Sequence, residues 1–106
     1  MVERRSSPRM DAGIPVEFDT ADERGHAGIL QDVSDTGALL LSRHEHQWHD
    51  VITVRFRAAG PHGELVERKA RVLRSEPHDP ESVWPVHTAL EFDVEVHLDR
   101  DALADE

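Results

Sequence analysis

The sequence predicts an all-β domain of six strands, folded as a small barrel or a sandwich. Apolar residues alternate with polar ones along much of the chain, which is typical of antiparallel strands with one buried face. Clusters of Gly, Pro, Asp and Ser separate these stretches, as turns do. No stretch of the first 95 residues has the apolar period of a helix. The 106 residues are enough for one domain and leave little room for a second.

Six stretches have the pattern of strands. The first, fourth, fifth and sixth alternate at period two, although Arg68 interrupts the apolar side of the fifth, and the second and third are short apolar runs. In chain order they cover residues 14–18, 27–33, 38–42, 52–56, 66–72 and 86–92. The turn signals lie at residues 21–25, 34–37, 60–63 and 77–80. We therefore assign the folded body to residues 13–93.

The two ends of the chain differ from this body. We expect residues 1–12 to form a flexible basic arm, because the first ten residues contain three arginines, one acidic residue and little apolar material. We expect residues 94–106 to form an acidic tail. A short helix is predicted over residues 99–105, with Asp99 as its N-cap.

The composition excludes several classes of function. Twelve basic and 22 acidic residues give a net charge of −10, and such a surface repels the phosphates of DNA and RNA. The chain has no cysteine, so thiolate metal sites and thiol nucleophiles are excluded. The longest apolar run, residues 38–41, is too short for membrane insertion, and no secretory signal is visible. No catalytic motif is present. We expect a cytoplasmic protein that is not an enzyme and holds no metal or cofactor.

The arm carries the first candidate binding residues. Arg5 and Arg9 have the spacing R-x-x-x-R, and Arg4 precedes them. An arginine presents a planar fork of donors that suits phosphate or the O6 and N7 edge of guanine. Two or three arginines on an arm are therefore suited to a phosphate-bearing purine. The alternative is a solvated basic tail without a ligand.

The second candidate is the pattern D-x-S-x-x-G, formed by Asp32, Ser34 and Gly37 between two predicted strands. A carboxylate can accept hydrogen bonds from the N1–H and N2–H₂ groups of guanine, and a hydroxyl can donate to phosphate. Gly37 provides either a positive φ or a close backbone approach. The alternative is a hairpin in which Asp32 and Ser34 cap their own backbone.

Taken together, these motifs resemble the PilZ domain family in order, spacing and strand context. The resemblance begins at Arg4 and includes the apolar run after Gly37, the strand at residues 70–74 and the closing segment at residues 86–92. It implies a six-stranded antiparallel barrel that acts as a bacterial receptor for cyclic di-GMP. Since the chain shows no output domain, we expect an effector protein that acts in trans.

The resemblance also implies roles for single residues. Arg5 and Arg9 match the arginines that grip guanine edges and phosphates, and Arg4 is expected to add a third cation. Asp32 matches the residue that reads guanine. Ser34 and Gly37 match small positions over which the ligand lies. Ala89 stands where the family often has glycine, and its methyl group is expected to narrow the site.

Two other hypotheses remain open. One is a PilZ-like adaptor or structural domain that does not bind nucleotide. The other is a metal-responsive module that uses His44, His46 and His49, although we prefer a polar loop there because the spacing matches no closed metal site. In that loop, Trp48 is expected to plug one end of the barrel.

Overall fold

Six antiparallel strands close into a barrel in the computed structural model, which describes residues 13–98. The strands are β1 Ile14–Asp19, β2 His26–Gln31, β3 Gly37–Ser42, β4 Val51–Arg57, β5 Leu65–Pro77 and β6 Val86–Phe92. Their order around the barrel is β1-β2-β3-β6-β5-β4. The all-β barrel is therefore confirmed, as are all six predicted strands. The arm of residues 1–12 and the helix predicted over residues 99–105 lie outside the described residues.

The alternation along each strand produces the core. In β1, the side chains of Ile14, Val16 and Phe18 are buried, while Pro15 and Glu17 are exposed. The other strands contribute buried residues at every second position in the same way: Leu30, Leu40, Ile52, Val54, Phe56, Ala70, Val72, Leu90 and Phe92. Period-two burial therefore places the remaining side chains of each strand on the outer surface of the barrel.

One end of the barrel is closed by chain that follows β6. Val96 and Leu98 are buried in the core, at 1% and 4% exposure. The backbone N–H groups of Phe92 and Val96 donate to the carbonyl groups of Thr36 and Asp35, at 2.8 Å each. The packed core thus extends to Leu98, beyond residue 93, and is anchored to the β2–β3 connection.

The other end is occupied by Phe18 and histidines, and the prediction that Trp48 plugs it is wrong. Trp48 is 69% exposed, and its ring stacks on His49 at a centroid distance of 3.7 Å. His49 has a φ of 73°, and its N–H donates to the carbonyl of Val72 at 2.9 Å. This backbone path leaves Trp48 on the surface. No helix within residues 13–98 is long and apolar enough to cross a membrane.

Candidate functional site

A pocket of about 250 Å³ lies on the outer wall of the barrel, at the start of β3. Three neighbouring strands, β3, β6 and β5, form its floor, and the β2–β3 turn forms one side. It is lined by Asp32, Ser34, Thr36, Gly37, Ala38, Leu39, Leu73, Arg74, Ala89, Leu90 and Glu91. The pocket therefore brings together all three residues of the D-x-S-x-x-G pattern with residue 89.

The β2–β3 turn is organised around the side chain of Ser34, which is only 5% exposed as a residue. Its Oγ accepts hydrogen bonds from the N–H groups of Thr36 and Gly37, at 3.2 Å each. It also lies 3.2 Å from the Oγ1 of Thr36. The Ser34 N–H donates to the carbonyl of Gly37 at 2.8 Å, which closes the turn. Ser34 therefore caps its own backbone and borders the pocket at the same time.

Asp32 and Gly37 meet different backbone requirements. The positive φ in this turn belongs to Asp32, at 49°, a conformation that aspartate tolerates better than most residues. Gly37 lies at the first position of β3, where an added Cβ would overlap the carbonyl oxygen of Leu90 in β6. Of the two roles considered for Gly37, the structure shows the close backbone approach.

A bulge in β5 brings a cation to the pocket. The pairing of β5 with β6 shifts register between Val72 and Arg74, so Leu73 is the extra residue and Arg74 lies opposite Ala89. The side chain of Arg74 is 64% exposed, and its Nε lies 3.7 Å from the Oε2 of Glu76, which is a loose contact. The sequence-based list of candidates omitted Arg74. The signal for it in the sequence is the loss of alternation after Val72, where a second apolar residue, Leu73, follows directly.

The floor of the pocket is apolar at its centre. Leu39 of β3 lies directly opposite Ala89 of β6, and both are partly exposed on the outer face. Leu73 is 44% exposed beside them. The methyl group of Ala89 thus lies on the floor of the pocket. The surface offers an apolar platform flanked by the carboxylate of Asp32 and the guanidinium of Arg74.

A larger groove of about 720 Å³ surrounds Arg55 on the opposite wall, but its central cation is already paired. The guanidinium of Arg55 donates to Asp19 at 2.7 Å, to Glu17 at 3.1 Å and to Glu67 at 3.3 Å. The hydrogen bond from Arg55 holds the pKa of Asp19 at about 2, with a smaller contribution from the Gly25 N–H. This network ties β1, β4 and β5 together, and we assign it a structural role.

The histidines proposed as metal ligands are not assembled into one site. His44 contacts the ring of His26, and His46 contacts Phe18, whereas His49 stacks on the exposed Trp48. Within the described part of the chain, no group of three or more His, Asp or Glu side chains is placed to hold a metal ion. The other proposed ligand-binding residues, Arg4, Arg5 and Arg9, lie outside the described residues.

Two solved structures share this fold. The structure of the Bacillus subtilis inhibitor of motility (MotI/DgrA) matches with a TM-score of 0.72 and 23% identity, covering 96% of this chain and 48% of that one. The chain therefore spans about half the length of that protein. The PilZ domain of YcgR from Escherichia coli, solved with c-di-GMP, matches with a TM-score of 0.67 and 16% identity, covering 94% of this chain and 86% of that one.

The sequence itself identifies the family. No curated protein matches the chain. The model of the PilZ domain, however, matches residues 3–104, which include the arginine-bearing segment, the whole barrel and most of the acidic end. Because this match extends over nearly the whole length, the chain belongs to the PilZ domain family.

Proposed function

We propose that this domain is a receptor for cyclic di-GMP, and that it relays binding of this second messenger to a partner protein. The observation that carries the proposal is a single pocket, in a PilZ domain, that is lined by Asp32, Ser34, Gly37, Arg74 and Ala89. The PilZ domain of YcgR, which has the same fold, was solved with c-di-GMP. The proposed receptor works in the cytoplasm and catalyses no reaction.

The chemistry of the pocket suits a guanine base. The Asp32 carboxylate offers acceptors to the guanine N1–H and N2–H₂ groups, and the Arg74 fork offers donors to its O6 and N7 edge or to a phosphate. Leu39 and Ala89 supply an apolar surface against which a flat base can pack. At about 250 Å³, the pocket lies below the roughly 300–1,000 Å³ that encloses a drug-sized ligand. It therefore accommodates one part of a cyclic dinucleotide, and other groups must contact the rest.

We assign those other groups to Arg4, Arg5 and Arg9. Ile14 lies opposite Leu30 of β2, and Leu30 lies opposite Leu40 of β3. Two strand spacings of about 4.8 Å thus separate the start of β1 from the neighbourhood of Leu39.

The length of the intervening chain permits these contacts. The four Cα–Cα steps from Arg9 to Gly13 can span at most about 14 Å, and the eight steps from Arg5 to Gly13 can span about 29 Å. The arginines are therefore within reach of a ligand held in the pocket, where they would neutralise its two phosphates.

The effector is proposed to act in trans. The match covers only 48% of the inhibitor of motility from Bacillus subtilis. We therefore propose by analogy alone that this chain, like that inhibitor, acts on another protein. The second candidate function is an adaptor that does not bind nucleotide. The observation that favours it is the methyl group of Ala89 in the pocket, which reduces the space for a base.

A calorimetric titration with cyclic di-GMP distinguishes the two candidates. We expect micromolar or tighter binding, with GTP and cyclic AMP much weaker because neither presents two guanines on one cyclic dinucleotide. Arg5→Ala and Arg9→Ala should each lose about 2 kcal/mol, or roughly thirtyfold in affinity, which is typical of losing a charged hydrogen-bonded contact. Asp32→Ala should reduce the preference for guanine over other bases.

The matched control is Arg24→Ala. Arg24 is an exposed arginine of the β1–β2 turn, at the other end of β2 from Asp32. The Arg24→Ala variant should bind cyclic di-GMP with the affinity of the parent protein. Absence of binding by the parent protein would support the adaptor, and equal affinities of the parent and the Arg9→Ala variant would remove the arm from the site.

A further inference from the structure

Three histidines are packed together at the end of the barrel where β2 begins, away from the nucleotide pocket. The ring centroids of His26 and His44 are 4.0 Å apart, and Phe18 lies 5.1 Å from His26 and 5.7 Å from His46. The Nε2 atom of His46 is buried without a hydrogen-bond partner. We call His26, His44 and His46 the histidine cluster.

The surroundings of the cluster are acidic. Glu23 of the β1–β2 turn approaches His26, with its Oε1 3.2 Å from Nε2. A cavity of about 600 Å³ beside the cluster has no lysine or arginine in its lining. By element, the lining consists of Thr20, Ala21, Asp22 and Glu23 from the β1–β2 turn, His26 from β2, His44, Glu45, His46 and Asp50 from the β3–β4 loop, and Val51 and Ile52 from β4.

Protonation of His46 is opposed inside the folded protein. Burial lowers the pKa of His46 below its usual value of 6.5, and the nearby His44 and His26 lower it further, while Asp50 acts in the opposite direction. In the unfolded chain His46 takes up its proton at higher pH. The neutral His46 ring therefore stabilises the folded state fully above pH 6.5, and this stabilisation is lost as the pH falls through the lowered pKa of the folded protein. Acidification thus favours a state in which the loop carrying His44 and His46 leaves the barrel.

The same loop is hydrogen bonded to the strand that forms the pocket. The His46 N–H donates to the Oγ of Ser75 in β5 at 3.0 Å. The Ser75 Oγ in turn lies 2.9 Å from the Oγ1 of Thr88 in β6, which is fully buried. Ser75 directly follows Arg74, and Thr88 directly precedes Ala89. Two hydrogen bonds therefore connect the β3–β4 loop to β5 and β6, at positions next to the pocket residues Arg74 and Ala89.

A second connection reaches the bulge itself. The His49 N–H donates to the Val72 carbonyl at 2.9 Å, and the Val72 N–H donates to the Asp50 carbonyl at 2.8 Å. Val72 and Ser75 flank the bulge that places Leu73 and Arg74 at the pocket. Release of the loop removes the hydrogen bonds on both sides of this bulge.

We propose that His46 makes this domain pH-sensitive, because its protonation releases the β3–β4 loop and thereby weakens nucleotide binding at the bulge of β5. The ligand half of this proposal rests on the proposed function, whereas the release of the loop does not. The fold then combines two inputs, the second messenger at one site and proton concentration at the other.

The test compares about pH 7.5 with about pH 5.5, on either side of the ordinary histidine value. Cyclic di-GMP affinity should fall roughly fivefold on acidification, at the low end of measured couplings between sites. In the free protein, the amide protection of His46 and His49 should fall over the same pH range. The variant His46→Phe keeps an aromatic ring against Phe18 and removes the titration, so both effects should disappear.

Control variants separate the outcomes. His62→Gln changes an exposed histidine of the β4–β5 turn and should behave like the parent protein. Ser75→Ala leaves the cluster intact but removes one of the two connections, so the loop amides should respond to pH while the affinity responds less. His87 also has a pKa lowered by burial and by His78, and it lies two residues before Ala89.

The proposal is overturned by a pH dependence of affinity that persists in His46→Phe and disappears in His87→Gln, or by affinities that are equal at the two pH values. If cyclic di-GMP does not bind at either pH, the proposed function fails. Amide protection in the β3–β4 loop then tests whether the loop is released. Loss of protection at low pH in the parent protein but not in His46→Phe supports release, and unchanged protection in the parent refutes it.

Discussion

Replacement of Ser34 by alanine tests how the β2–β3 turn holds the binding pocket. The Ser34 hydroxyl accepts from the N–H groups of Thr36 and Gly37, at 3.2 Å each, and the residue is 5% exposed. Alanine removes this acceptor without changing the Cβ position. Because water has little access to the site, the two amides remain without an equivalent partner.

The expected loss of stability follows from these two hydrogen bonds. A typical intramolecular hydrogen bond contributes about 1 kcal/mol net, so losing both should lower the free energy of unfolding by about 2 kcal/mol. For a domain of this size, a loss of about 2 kcal/mol corresponds to a decrease of roughly 10 °C in the thermal midpoint.

Thermal denaturation followed by circular dichroism measures this effect, with Ser82→Ala as the matched control. Ser82 accepts one hydrogen bond, from the Trp84 N–H at 3.1 Å, but it is exposed, so water can replace its hydroxyl. The control should lose less than about 0.5 kcal/mol. If the two variants have the same thermal midpoint, the Ser34 hydroxyl does not organise the turn, and our account of this motif is incorrect.

Three further changes test other parts of the structure. Gly37→Ala should lower the free energy of unfolding by about 2 kcal/mol in urea denaturation, because the added methyl overlaps the Leu90 carbonyl and forces β3 from β6; an unchanged midpoint would contradict this close approach. Ala89→Gly should tighten cyclic di-GMP binding a few-fold in calorimetry, because it clears the pocket floor, and weaker binding would show that the methyl contacts the ligand. Asp19→Asn should make the free energy of unfolding fall less steeply at acid pH. The pKa of Asp19 is about 2, so its pairing with Arg55 stabilises the fold above about pH 4 and is lost as the pH falls through about 2. The same acid dependence in both proteins would refute this.

The strands could be predicted because each one presents its apolar side chains to a single core. The fourth stretch was predicted over residues 52–56 and is observed as Val51–Arg57. The alternation predicted that the fifth strand ends at residue 72 and the resemblance placed a strand at residues 70–74, whereas β5 continues to Pro77. The bulge at Leu73 shifts the face on which the following residues lie, so period two no longer applies across it. Pairing with β6, which a single sequence does not reveal, continues the strand beyond that point.

The candidate site was predictable where it is local in sequence. Asp32, Ser34 and Gly37 lie within six residues, and the turn brings them to one pocket. Arg74 escaped prediction because it reaches the pocket only through the bulge and its pairing with Ala89.

Trp48, by contrast, was predicted to be buried and is exposed. Its apolar ring favours burial, but the hydrogen bond from the His49 N–H to the Val72 carbonyl, with the positive φ of His49, directs the loop outward. Long-range backbone hydrogen bonds of this kind leave no periodic signal in the sequence.

The most direct test of the central claim is an amide-resolved NMR titration of the full chain with cyclic di-GMP. We predict saturable changes concentrated at Asp32–Gly37, Arg74 and Ala89, accompanied by changes in the segment that carries Arg5 and Arg9. Changes confined to the groove around Arg55, or no changes at ligand concentrations well above micromolar, would contradict the assignment of this pocket as the cyclic di-GMP site.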